Sequence, residues 1–160
     1  MSQHDESLLG ELALRLAKSP EDVATEGLAY ILSRSDAARG LVQRLADEWA
    51  ARALRPIVSF RSQVTGADAA RPDLEAKDAD GVPVVIFEDK FWASLTEGQP
   101  VTYLRRLSDR GGVLCFVVPT MRTILLWDEL SRRIEQAEGA QVVLLRDEAL
   151  RADAGPVLPA

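Results

Sequence analysis

The sequence predicts an α/β protein in which a central mixed sheet is flanked by helices. Three observations carry that prediction. Apolar residues in the first third recur with helical period and stop near Pro56, and from Ile57 the period drops to two. Beyond Gly111 and Gly112, the apolar run "VLCFVVPT" reads as a buried strand. The expected order is helices, then β-β-β-α-β-α-β.

Each element has its own local signals. "ESLLGELALRLAK" has the spacing of an amphipathic helix. In "SPEDVATEGLAYILSRS", Ser19 is placed to cap, Pro20 suits the first helical position, and Val23, Leu28, Ile31 and Leu32 are the expected buried stripe. "ARGLVQRLADEWAARAL" predicts a third helix ending near Pro56. "IVSFRSQVTG" alternates as a strand, "RPDLEAK" continues extended, "DADG" is a turn, and "VPVVIFEDK" is a β-branched run, which together predict a three-stranded antiparallel meander. Then come the helix "EGQPVTYLRRLSDR", the strand "VLCFVVPT", the helix "TILLWDELSRRIEQAE" and a last strand "AQVVLLRD". Residues 1–150 read as a single domain and 151–160 as a flexible tail or linker.

Composition narrows the function classes. The 160 residues are 47% apolar and 28% charged with both signs mixed, which suits one globular domain and not a disordered chain. The single cysteine, Cys115, rules out an internal disulfide framework and is expected as a buried thiol. The N-terminus lacks the pattern of an export signal, and no apolar run reaches the roughly 18 residues of a membrane span. A cytoplasmic protein without a membrane partner is expected. The net charge of -6 argues against a surface that grips nucleic acid throughout, although "YLRRLSDR" and "LSRRIEQ" concentrate arginines locally.

The strand "VVIFEDK" ends in three adjacent charges, Glu88, Asp89 and Lys90. Residues two apart on a strand share a face, so Glu88 and Lys90 project together and Asp89 points the other way. With the turn centred on "DADG", Asp73 stands opposite Ile86 and one diagonal step from Glu88 on the same face. Two carboxylates so close repel unless a cation or proton intervenes, and oxygen ligands of this kind suit Mg²⁺ or Mn²⁺ better than Zn²⁺. A hard divalent ion there can polarise a phosphodiester while the ammonium of Lys90 stabilises developing charge.

Pro72-Asp73 followed by Glu88-x-Lys90 at the end of the next strand resembles the PD-(D/E)XK nuclease superfamily. The match covers roughly residues 20 to 120 and implies a restriction endonuclease-like α-β-β-β-α-β core. Glu26 resembles the glutamate that members often carry on the helix before the meander. Gln99 and Tyr103 resemble the Q-x-x-x-Y pattern of the family's exonuclease-like branch.

The resemblance implies a Mg²⁺-dependent nuclease, with Mn²⁺ able to substitute, acting on DNA. Asp73 and Glu88 are the implied metal ligands, with the backbone carbonyl of Asp89 and Glu26 as further contributors. Lys90 is the electrostatic and water-orienting residue, and Gln99 a positioning residue. Tyr103, Arg105 and Arg122 are candidates for contacting substrate. A homodimer or a partner domain is expected to supply additional DNA affinity. The alternative is a catalytically silent nuclease-like module serving binding or assembly in a larger complex. Trp92 is expected to pack beneath the site helix, Trp49 and Trp127 to lie in the core, and His4 to be a surface or tag-like residue near the terminus.

Overall fold

A computed structural model of the chain describes residues 20–63, 70–108 and 110–136. The helix expected over 6–18, the strand expected over 140–147, the tail, Ser19 and His4 lie outside these residues. The described residues form a mixed α/β fold with a four-stranded sheet and four α-helices. Helix α1, Pro20–Arg34, is followed by α2, Asp36–Trp49, whose N-cap Ser35 accepts the Ala38 N–H at 3.2 Å. Strands β1, Ser59–Ser62, β2, Leu74–Lys77, and β3, Pro83–Asp89, form the antiparallel meander. Helix α3, Val101–Ser108, then crosses over to β4, Val113–Val117, which lies parallel to β3. A 3-10 turn, Thr120–Arg122, leads into α4, Thr123–Glu135. No described helix is long and apolar enough to cross a membrane.

Alternation along the strands divides the interior. Phe60, Leu74, Ala76, Val85 and Phe87 pack with Ala29 and Leu32 of α1 and Ala46 of α2. On the other face Ile86 packs with Tyr103 and Leu107 of α3, while Phe116 joins Leu95, Leu126 and Leu130 beneath α4. Cys115 is half-buried beside the first of these clusters.

Three sequence expectations are corrected. The buried stripe of α1 runs through Thr25, Ala29 and Leu32, and Ile31 is 55% exposed because it sits one helical step, about 100°, from Leu32. Helix α2 stops at Trp49 and does not continue to Leu54: Ala51 turns into the left-handed region at φ 50°, and the Asp47 carboxylate accepts the Leu54 N–H at 2.8 Å. Trp92 is 74% exposed, and Trp49 and Trp127 are only half-buried.

The hairpin between β2 and β3 differs from the expected register by two residues. Asp78 and Val82 close a three-residue loop ending in Gly81, whose φ of 76° supplies the left-handed position such a loop requires. The Asp78 carboxylate braces it by accepting the N–H groups of Asp80 at 3.0 Å and Val82 at 2.8 Å. That loop is one residue longer than the tight turn expected. A second residue is gained where Ala76 pairs with Val85 but Lys77 with Pro83, leaving Val84 as the extra residue of a β-bulge. Ile86 therefore faces Glu75, not Asp73. The ladder ends at the Leu74–Phe87 pair, and Asp73, the residue before it, meets the end of β3 through its side chain, which accepts the Asp89 N–H.

The bulge also shapes its neighbour. A Cβ added at Gly112 would lie 2.5 Å from the Val84 carbonyl oxygen and 2.7 Å from Leu107 Cδ2. Only a glycine lets the chain entering β4 pass so close to a bulged backbone. Gly112→Ala is expected to lower stability by about 2 kcal/mol through overpacking, read as a reduced urea midpoint at unchanged slope.

Candidate active site

The C-terminal end of β3 carries the charged residues. Glu88, on the α3 face, is 3% exposed. Its Oε1 accepts two hydrogen bonds of 2.6 Å, from Lys90 Nζ and from Gln99 Nε2. Its Oε2 is buried and accepts none from the described residues. Gln99 lies in the turn just before α3, earlier than a position within the helix, and is held from three sides. Its Nε2 also donates to the Tyr103 hydroxyl at 3.0 Å, its Oε1 accepts the Thr96 N–H at 3.1 Å, and its carbonyl accepts Arg133 of α4 at 2.8 Å. Tyr103 is buried, and that burial raises its hydroxyl above the ordinary phenol range, with the Glu88 carboxylate adding to the effect.

Asp73 and Asp89 meet through the backbone. The Asp89 N–H donates to Asp73 Oδ2 at 2.7 Å, while the Asp89 side chain lies on the other face, accepting the Thr25 hydroxyl at 2.6 Å. Burial pushes the Asp73 carboxyl up to about 6, with the nearby Glu88 and Asp89 carboxylates adding to the rise and the Asp89 N–H and Lys90 opposing it. Glu75 gives the contrast on the same strand. It is more deeply buried, at 2% exposed, but bridged by Lys77 at 2.9 Å and Arg106 at 2.6 Å, so its charge is answered.

Two cavities open at this end of the sheet. One, of about 320 Å³, is lined in part by Glu88, Lys90, Gln99, Tyr103 and Arg71. The other, of about 420 Å³, is lined by Asp22, Gln63, Arg71 and Asp73. The acidic residue that α1 brings to Asp73 is thus Asp22. Glu26, four residues along the helix, is exposed and lines neither cavity. The signal available in the sequence was the i, i+4 spacing of two acids on one helix, which cannot decide between them.

The arginines singled out in the sequence are differently placed. Arg105 is exposed on α3, and Arg122 donates to the Lys90 carbonyl at 2.9 Å and the Ala93 carbonyl at 3.0 Å. Arg122 therefore fastens the loop leaving β3, as Arg133 fastens the turn at Gln99. Neither positioning role was visible in the sequence, since the partners are carbonyls far along the chain.

The donor set suits a hard divalent cation. Among the described residues no three His, Cys, Asp or Glu side chains gather as a metal group. Mg²⁺, however, commonly keeps several waters and needs only one or two carboxylates. Asp73 and the unanswered Glu88 Oε2 are that number, and both are oxygen donors.

A carboxyl raised in the folded state favours folding while protonated, so the contribution of Asp73 is full below about pH 4 and is lost as pH rises through about 6. Measured without divalent cations, the stability of Asp73→Asn relative to the parent is expected to increase across that interval and level off above it. A pH-independent difference would contradict the raised carboxyl. Comparisons with family models, with curated proteins and with solved structures return no match to this chain.

Proposed function

We propose that the chain is a Mg²⁺-dependent nuclease that hydrolyses phosphodiester bonds in DNA. The observation that carries this reading is the half-answered carboxylate of Glu88. A buried carboxylate oxygen without a partner among the described residues is costly, and the Asp73 carboxyl, which feels the Glu88 charge, is a second oxygen ligand that a cation could share with it. The order of Pro72-Asp73 and Glu88-x-Lys90, with its resemblance to the PD-(D/E)XK nucleases and their restriction endonuclease-like fold, supports the same conclusion.

The residues have distinct tasks in the proposed reaction. Asp73 and Glu88 would hold the cation, with the Asp89 carbonyl alongside. Bound there, a divalent cation supplies Lewis-acid polarisation of the phosphodiester. Lys90, whose ammonium is held at Glu88 Oε1, offsets negative charge that develops at phosphorus and orients the attacking water. Gln99 holds the Glu88 carboxylate in one orientation, and Tyr103 supports Gln99 in turn. Cavity walls formed by Thr96, Gly98 and Thr102 leave room for a phosphate group beside Lys90.

Two substitutions separate these tasks. Glu88→Gln removes a charged ligand, so Mn²⁺ binding by calorimetry and cleavage of plasmid DNA are expected to fall together. Lys90→Met leaves Glu88 charged and buried, so it is expected to cost about 3 kcal/mol in EDTA, with Mg²⁺ restoring part of that loss. Its cleavage rate in Mg²⁺ is expected to drop about a hundredfold or more while Mn²⁺ binding persists. A parent chain that binds no Mn²⁺ and cuts no DNA would return the chain to the reading of a binding or assembly module.

A further inference from the structure

Arg71 precedes the fully buried Pro72, and its exposed side chain lines both cavities, with Lys90 and Glu88 on one side and Asp73 on the other. Its charge is not cancelled by the group that holds it. Arg106 is paired with Glu75 and Arg55 with Asp78, whereas Arg71 donates to the neutral side-chain carbonyl of Gln63. That amide is itself oriented, because Gln63 Nε2 donates to Asp22 Oδ1 at 3.0 Å. The Gln63 backbone is anchored by its N–H to the Asp73 carbonyl at 2.9 Å and sits at φ 49°, an uncommon conformation for a residue with a Cβ. A strained, doubly bonded glutamine thus presents a guanidinium at the junction of two cavities whose other charged walls are mainly acidic.

We infer that Arg71 forms a phosphate-binding site for the DNA backbone, taking a phosphate at the junction of the two cavities; this rests on the nuclease reading above. Phosphate approaching Asp22, Asp73 and Glu88 meets repulsion from each carboxylate. A guanidinium offsets that repulsion and offers paired N–H donors that match two phosphate oxygens. Gln63 holds the fork by a neutral acceptor, which a phosphate can displace without breaking an ion pair. Arg71 is thereby a positioning residue that sets the register of the strand relative to Lys90.

The test is binding of a fluorescein-labelled DNA duplex to the full chain, with Ca²⁺ in place of Mg²⁺, followed by anisotropy over a salt series. Arg71→Gln is expected to weaken binding about tenfold and to lower the slope of log affinity against log salt by about one, with the melting temperature unchanged. Arg71→Lys is expected to keep the slope and lose part of the affinity, and Arg44→Gln on α2, which lines neither cavity, to match the parent. In Mg²⁺, Arg71→Gln raises KM more than it lowers kcat. A parent chain that binds and cuts DNA, with Arg71→Gln equal to it in affinity and slope, overturns this assignment and leaves the nuclease reading intact. A parent chain that binds neither DNA nor Mn²⁺ overturns both.

Discussion

The arrangement at the sheet end depends on the single buried oxygen Glu88 Oε1, shared between the Lys90 ammonium and the Gln99 amide. A buried carboxylate is tolerated only when paired and hydrogen-bonded, so each donor fixes more than a contact. Lys90 must fold back toward the strand it leaves, and Gln99, in the turn before α3, must turn its side chain to the sheet. Tyr103, one helical turn on, then closes the network from α3. The other oxygen, Oε2, is buried and has no hydrogen-bond partner among the described residues.

Rigidity behind this network comes from arginines that point at carbonyls. Arg122 bonds the Lys90 and Ala93 carbonyls, and Arg133 bonds those of Thr96 and Gln99. The loop joining β3 to α3 is therefore clamped at both ends by the segment following β4. These guanidiniums satisfy backbone acceptors that neither a helix nor the sheet can reach.

The geometry of the acids rests on a compensation in the hairpin. A loop one residue longer than expected would by itself have moved Asp73 to the face opposite Glu88, since side chains alternate along a strand. The Val84 bulge adds a second residue and restores the parity. Asp73, one residue before Leu74, is thereby kept at the Glu88 end of β3, near enough for its carboxyl to feel the Glu88 charge. The same bulge obliges Gly112 to be a glycine.

By itself the sequence determined the alternation and the order of elements: period-two runs around Phe60, Leu74 and Val85, a β-branched strand ending in Glu88-Asp89-Lys90, and helices with apolar stripes. These are local, since side-chain direction follows from backbone period within a few residues. The facing of Glu88 and Lys90 away from Asp89 was legible for that reason, and so was the vicinity of Asp73. Only the tertiary structure decided the register, because a bulge and a loop length depend on how both strands pack. It also decided that Asp22 and not Glu26 lines the Asp73 cavity, and that Ile31 and Trp92 face outward. Nor could the sequence show which arginines hold carbonyls and which one sits between cavities. Those choices are made by contacts between residues dozens of positions apart, and helical or strand period carries no information about a partner at that distance.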